Sequence, residues 1–129
     1  MAYTILYVED NPDNTQLVQR AVQARGYQFF AAATGLEGVQ LATDLRPDVI
    51  LLDINLPDID GYEVARRLRA SHVKHLLYVP IVAITANALK GDAEKALEAG
   101  CDVYIAKPIN IRELWARLEA LLSDPSKAD

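Results

Sequence analysis

Apolar positions along the chain fall into short solid runs and longer periodic stretches, and the two alternate. The solid runs are Thr4 to Val8, Tyr27 to Ala33, Val49 to Leu52, Pro80 to Thr85 and Val103 to Ala106. Short β-branched, leucine-rich or aromatic runs predict strands, and the four consecutive aliphatic residues Val49 to Leu52 predict one buried on both faces. A proline at the first residue of the fourth run is compatible with a strand start. The periodic stretches predict helices. Leu17, Val18, Ala21 and Val22 share one helical face, Pro12 suits the first turn and Gly26 the end. Thr34-Gly-Leu-Glu37 has the form of a capping box and opens a helix to Leu45, expected to bury Leu36, Val39 and Leu41 or Ala42. Gly61, Val64, Ala65 and Leu68 mark a third helix, and Leu89, Ala93, Ala96 and Leu97 a fourth that Gly100 closes. Asn110 caps the fifth, whose stripe is Ile111, Leu114, Trp115, Leu118, Leu121 and Leu122. The stretch from Ala70 to Val79 shows no pattern of either kind.

Strict strand–helix alternation means a parallel five-stranded sheet with helices on both faces, an α/β doubly wound fold. The 129 residues suit one domain, expected over residues 1–124, with 125–129 as a short polar tail that frays. A single cysteine, Cys101, excludes an internal disulfide and fits a reducing compartment. No apolar run approaches the ~20 residues of a membrane span, and the first residues lack the pattern of a secretion signal. A cytoplasmic location with no membrane contact is therefore expected. The net charge of −5 argues against nucleic acid as a partner.

Candidate chemistry follows from where the strands end. In a parallel sheet all carboxyl ends lie on one edge, where open α/β sheets bind ligands. The first strand ends at Glu9 and Asp10, the third at Asp53, the fourth at Thr85, and the fifth just before Lys107-Pro108. Three carboxylates, a hydroxyl and an ammonium thus converge. Carboxylates that close repel one another, and an all-oxygen set suits Mg²⁺ or Ca²⁺. Mg²⁺ needs only one or two carboxylates when phosphate and water complete its shell. Asp10 and Asp53 would hold it, with Glu9 beside them. Lys107 suits a phosphate oxygen and Thr85 can donate one hydrogen bond to it. Asp53 can then act as a nucleophile toward phosphorus.

With Val8-Glu-Asp-Asn11, Leu52-Asp-Ile-Asn-Leu-Pro57 followed by Gly61, Ile84-Thr-Ala86, and Ala99 through Lys107-Pro108, the chain resembles receiver (CheY-like) domains of two-component response regulators. The resemblance covers nearly the whole chain. It implies a flavodoxin-like (βα)5 fold, and the strand order 2-1-3-4-5 is adopted from that fold. It implies that Asp53 is the phosphoacceptor, Asp10 the main acidic Mg²⁺ ligand, Glu9 a ligand through water, and the Asn55 backbone carbonyl a further ligand. Lys107 would pair with the phosphoryl group, Thr85 would be the switch hydroxyl, and Tyr104 the aromatic that reports phosphorylation. The Lys107-Pro108 bond would be cis. The donor would be a histidine kinase or a histidine phosphotransfer protein. A downstream protein would bind across the fourth helix, fifth strand and fifth helix. Both a stand-alone regulator and the receiver of a hybrid kinase fit this picture.

Plainer readings stand beside these. Asp53 can be a turn cap, Thr85 a β-branched strand residue and Tyr104 ordinary strand core. Trp115 and Cys101 read as core, and His72 and His75 as surface residues. A rival function is a small Mg²⁺-dependent phosphatase working through an aspartyl phosphate. Phosphatases of the haloacid dehalogenase type carry a second aspartate two residues after the nucleophile, where this chain has Asn55, an amide that cannot exchange a proton. A flavin-binding role is opposed by three carboxylates facing a flavin phosphate.

Overall fold

The computed structural model describes residues 3–86 and 91–123. Five strands, β1 (Thr4–Val8), β2 (Gln28–Ala32), β3 (Val49–Asp53), β4 (Ile81–Thr85) and β5 (Val103–Ala106), form one sheet in the order β2-β1-β3-β4-β5. Every neighbouring pair is parallel. The helices are α1 (Pro12–Ala24), α2 (Gly35–Leu45), α3 (Gly61–Arg69), α4 (Lys74–Tyr78), α5 (Asp92–Ala99) and α6 (Ile111–Leu122). The helices expected as fourth and fifth are thus α5 and α6. Leu89, placed in the first of these, and the tail 125–129 lie outside the described residues.

Side chains alternate across a strand, and here they feed two cores. Leu6, Val8, Ile50, Leu52, Ile81 and Ala83 pack with Val64, Ala65, Leu68 and Ala96 on one face. Ile5, Tyr7, Val49, Leu51, Val82, Ile84 and Ile105 pack with Val18, Val22, Leu114, Trp115 and Leu118 on the other. All five residues of β3 and of β4 are buried, as solid apolar runs require. Truncating Leu51 or Leu52 of β3 to alanine would cost about 2–5 kcal/mol.

Three leucines expected inside are outside: Leu17 (43% exposed), Leu36 (52%) and Leu97 (59%). The reason is clearest for α2. It buries Gly35, Gly38 and Ala42, and a Cβ on Gly38 would lie 2.8 Å from a methyl of Val8 in β1. The helix sits so close to β1 that its glycine face is the one that fits, and Leu36 is turned out. The capping box holds in modified form: Thr34 Oγ1 accepts from Glu37 N–H at 3.1 Å, while the Glu37 carboxylate accepts from Ala33 N–H at 2.8 Å.

The patternless stretch contains α4, whose five residues are too few for a helical period to show. Leu76 is its buried residue. Arg69 ties it to the rest, donating to Leu76 O at 3.0 Å, to Gly100 O at 2.9 Å and to Asp102 Oδ2 at 3.0 Å. His75 is half-buried, its Nε2 against the Pro47 carbonyl, so it is more than a surface residue.

Candidate functional site

The carboxyl edge of the sheet gathers the predicted residues. Asp53 ends β3 and is 1% exposed; Glu9 follows β1 and is 3% exposed; Asp10 beside it is open to solvent. One carboxylate oxygen from each lies within 4.8 Å of the other two. Lys107 follows β5 and brings Nζ to 3.0 Å from Glu9 Oε1 and 3.3 Å from Asp53 Oδ2. The Asn55 N–H donates to Asp53 Oδ1 at 3.3 Å. Thr85, 2% exposed, ends β4, and its carbonyl accepts from Lys107 N–H at 2.7 Å. The Lys107–Pro108 bond is cis.

The chain crosses itself tightly here. Gly61 N–H donates to Ile54 O at 2.9 Å, and a Cβ on Gly61 would lie 2.5 Å from the Asp53 carbonyl oxygen. Glycine is required at that crossing.

Three partners of Glu9 were not legible as site residues. Tyr7 Oη donates to Glu9 Oε1 at 3.0 Å, Asn14 Nδ2 to the same oxygen at 3.0 Å, and Asn11 N–H to Oε2 at 3.3 Å. The bulk of Tyr7 in an otherwise aliphatic strand was the only signal. Asn14 looks like any polar residue of a first helical turn.

The charges are unevenly matched. Burial, hydrogen bonding with Glu9 and repulsion from its charge push Asp53 up to about 6, against the pull of Lys107 and the Asn55 N–H. Burial also works against ionisation of Glu9, but hydrogen bonds with Asp53, Lys107 and Asn14 outweigh it and hold Glu9 well below the usual carboxylate range. Lys107 is shifted upward, its ion pairs with Glu9 and Asp53 overcoming burial. Burial and the Glu9 charge raise the Tyr7 phenol, which stays a hydrogen-bond donor. Negative charge thus exceeds what one ammonium offsets. The donors are all oxygen, so the set fits a hard divalent cation.

Tyr104 is half-buried and packs against the core formed with α2, α3 and α5. It pairs in register with Ala83, two residues before Thr85 on β4. By strand alternation Thr85 and Tyr104 lie on the same face. Burial first, then the charge of Asp92, raises the Tyr104 phenol. Trp115 and Cys101 are core residues, 6% and 4% exposed. Trp115 also meets Tyr27 edge-on with centroids 5.7 Å apart and lies 4.1 Å beneath the Arg25 guanidinium.

Residues 5–119 match the family model of the response regulator receiver domain. Among curated proteins, the chain is 38% identical over 124 residues to the polar-differentiation response regulator DivK of Brucella anthropi, covering 96% of this chain and 99% of that one. Among solved structures, it is similar to the receiver domain of the sensor histidine kinase PA1611 from Pseudomonas aeruginosa PAO1, which has magnesium coordinated in its active-site cleft. There the identity is 40%, the TM-score 0.87, and the coverage 96% of this chain and 100% of that one. The chemotaxis response regulator CheY4 of Vibrio cholerae is 27% identical with a TM-score of 0.88, over 95% of this chain and 100% of its own.

Proposed function

The chain belongs to the receiver domain family of two-component response regulators, and from that premise we propose that it is a phosphorylation-operated switch with Asp53 as its acceptor. The observation that carries the reading is the Asp53 carboxylate, buried at the end of the central strand, 3.3 Å from Lys107 and grouped with Glu9 and Asp10. A carboxylate oxygen of Asp53 attacks phosphorus, the phosphorus–nitrogen bond of a donor phosphohistidine breaks, and the imidazole leaves. The donor is a histidine kinase or a histidine phosphotransfer protein. Asp10, Asp53, the Asn55 carbonyl and, through water, Glu9 would hold Mg²⁺, which when bound would supply positive charge to the phosphoryl oxygens. Lys107 remains beside the acceptor and pairs with one of those oxygens. Tyr7, Asn14 and Lys107 together fix the Glu9 carboxylate.

The output runs through Thr85 and Tyr104. A phosphoryl group on Asp53 offers acceptor oxygens to the Thr85 hydroxyl, and movement of Thr85 leaves space on its face of the sheet for the Tyr104 ring. The surface of α5, β5 and α6 then changes toward a downstream protein. A conformer populated at roughly a few per cent beforehand is sufficient for such a shift. Membership in a signalling family and the amide at Asn55 both favour this over phosphatase activity. Incubation with acetyl phosphate and Mg²⁺ should add one phosphoryl group by intact-protein mass spectrometry. Asp53→Asn should add none; uptake by that variant at the wild-type rate would refute the assignment.

A further inference from the structure

We propose that Asp58 is a positioning residue for the phosphoryl site, holding the loop that carries Asn55 by clamping it to the N-terminus of α2; the inference rests on the functional reading above. The loop from Ile54 to Asp60 leaves the end of β3 and returns at Gly61. Its root is fixed by Ile54 N–H donating to Ile84 O at 3.0 Å. Its exit is fixed by Gly61 N–H on Ile54 O at 2.9 Å and by Asp60, which caps α3 through Glu63 N–H at 2.9 Å. With Asn55 N–H on Asp53 Oδ1 at 3.3 Å, those bonds hold the two ends and leave the backbone between Asn55, itself exposed, and Asp60 to be held from elsewhere.

Asp58 does this with both oxygens. Oδ1 accepts from Gly35 N–H at 2.7 Å and Oδ2 from Leu36 N–H at 2.8 Å. A helix N-terminus leaves its first N–H groups without intrahelical partners. Here Thr34 takes Glu37 N–H and Asp58, from another loop, takes the two before it. A carboxylate is the group that answers both the donors and the dipole at that end. Packing follows the same line: a Cβ on Gly35 would lie 2.6 Å from Ile59 Cγ1 and 3.1 Å from Ile59 O. The loop is thus seated on α2 by a bidentate bond and a close backbone approach, three residues from the Asn55 carbonyl. Removing the clamp lets that carbonyl wander while Asp53, Glu9, Asp10 and Lys107 stay in place.

The test separates a loop clamp from a helix cap. Thr34→Ala removes a cap of the same helix without touching the loop, so it serves as the matched control. Mg²⁺ titration by calorimetry should show Asp58→Ala binding roughly tenfold more weakly than wild type, the lower end for groups that orient metal ligands. Asp58→Asn, with one acceptor oxygen left, should fall between. Thr34→Ala should lose thermal stability yet keep wild-type Mg²⁺ affinity. In metal-free protein, amide exchange across residues 55–59 should quicken in Asp58→Ala and not in Thr34→Ala. Wild-type Mg²⁺ affinity in Asp58→Ala, or an equal loss in Thr34→Ala, would overturn the proposal and leave Asp58 a plain cap. The titration and exchange decide on Asp58 by themselves; phosphoryl uptake by the wild type separately decides the functional reading.

Discussion

Without a divalent cation, the acceptor aspartate should weaken the fold at neutral pH, and Asp53→Asn should strengthen it. The folded protein holds the Asp53 proton up to about 6, whereas an ordinary aspartate releases it near 3.8. A raised value in the folded state means that the folded state binds the proton more tightly. Stability from this group is therefore fully present below about 4 and is lost as pH rises to about 6. At roughly 1.4 kcal/mol for each pH unit, the interval corresponds to about 3 kcal/mol. About half of that falls between pH 5 and 7.5, because the unfolded chain's aspartate is already ionised by pH 5. Glu9 is shifted the other way, so its contribution is lost only at lower pH and does not mask the effect. The assay is urea unfolding in EDTA at pH 5, 6 and 7.5, followed by Trp115 fluorescence. Wild type should lose about 1–2 kcal/mol across the series. Asp53→Asn should be flatter and, at pH 7.5, about 1–3 kcal/mol more stable; the lower figure allows for the lost Lys107 contact. Excess Mg²⁺ should stabilise wild type more at pH 7.5 than at pH 5, since it favours the ionised carboxylate. If Asp53→Asn is no more stable than wild type at pH 7.5 and shows the same slope, the charge imbalance inferred for the site is wrong.

Tyr7→Phe removes one hydrogen bond to the Glu9 carboxylate and should cost about 1.5–3 kcal/mol by urea unfolding, with phosphoryl uptake slowed but retained; unchanged stability would mean that Glu9 is held without it. Gly61→Ala places a methyl 2.5 Å from the Asp53 carbonyl oxygen and should lower both the melting temperature and the Mg²⁺ affinity, whereas a variant with both at wild-type values would show that the crossing has slack. Thr85→Ala and Tyr104→Ala should each accept a phosphoryl group at Asp53 yet lose the phosphorylation-dependent amide shifts across α5, β5 and α6; if both respond as wild type does, the signal takes another route and Tyr104 is plain core.

The strands and the edge chemistry were legible because both depend on local sequence. A solid run such as Val49 to Leu52 can only be buried on both faces, and the carboxylates after β1 and β3 follow their strands directly. Parallel pairing then brings Glu9, Asp10, Asp53, Thr85 and Lys107 to one edge whatever the loops do. The period of α3 and α6 was equally plain, each with a well-marked apolar face, and the Asn110 cap of α6 was read with it, whereas the Asp60 cap of α3 emerged only in the structure. Tertiary structure decided what depends on distance between elements. The approach of α2 to β1 put Gly38 inside and Leu36 outside, against its hydrophobicity. The five residues of α4 gained their helix from the Arg69 contacts and the burial of Leu76, since so short a segment has little helical preference of its own. Tyr7 and Asn14 became partners of Glu9 only when β1 and α1 were folded together. Asp58 met α2 across more than twenty residues of chain, because helix N-terminal amides need acceptors and nothing in the sequence names which carboxylate will supply them.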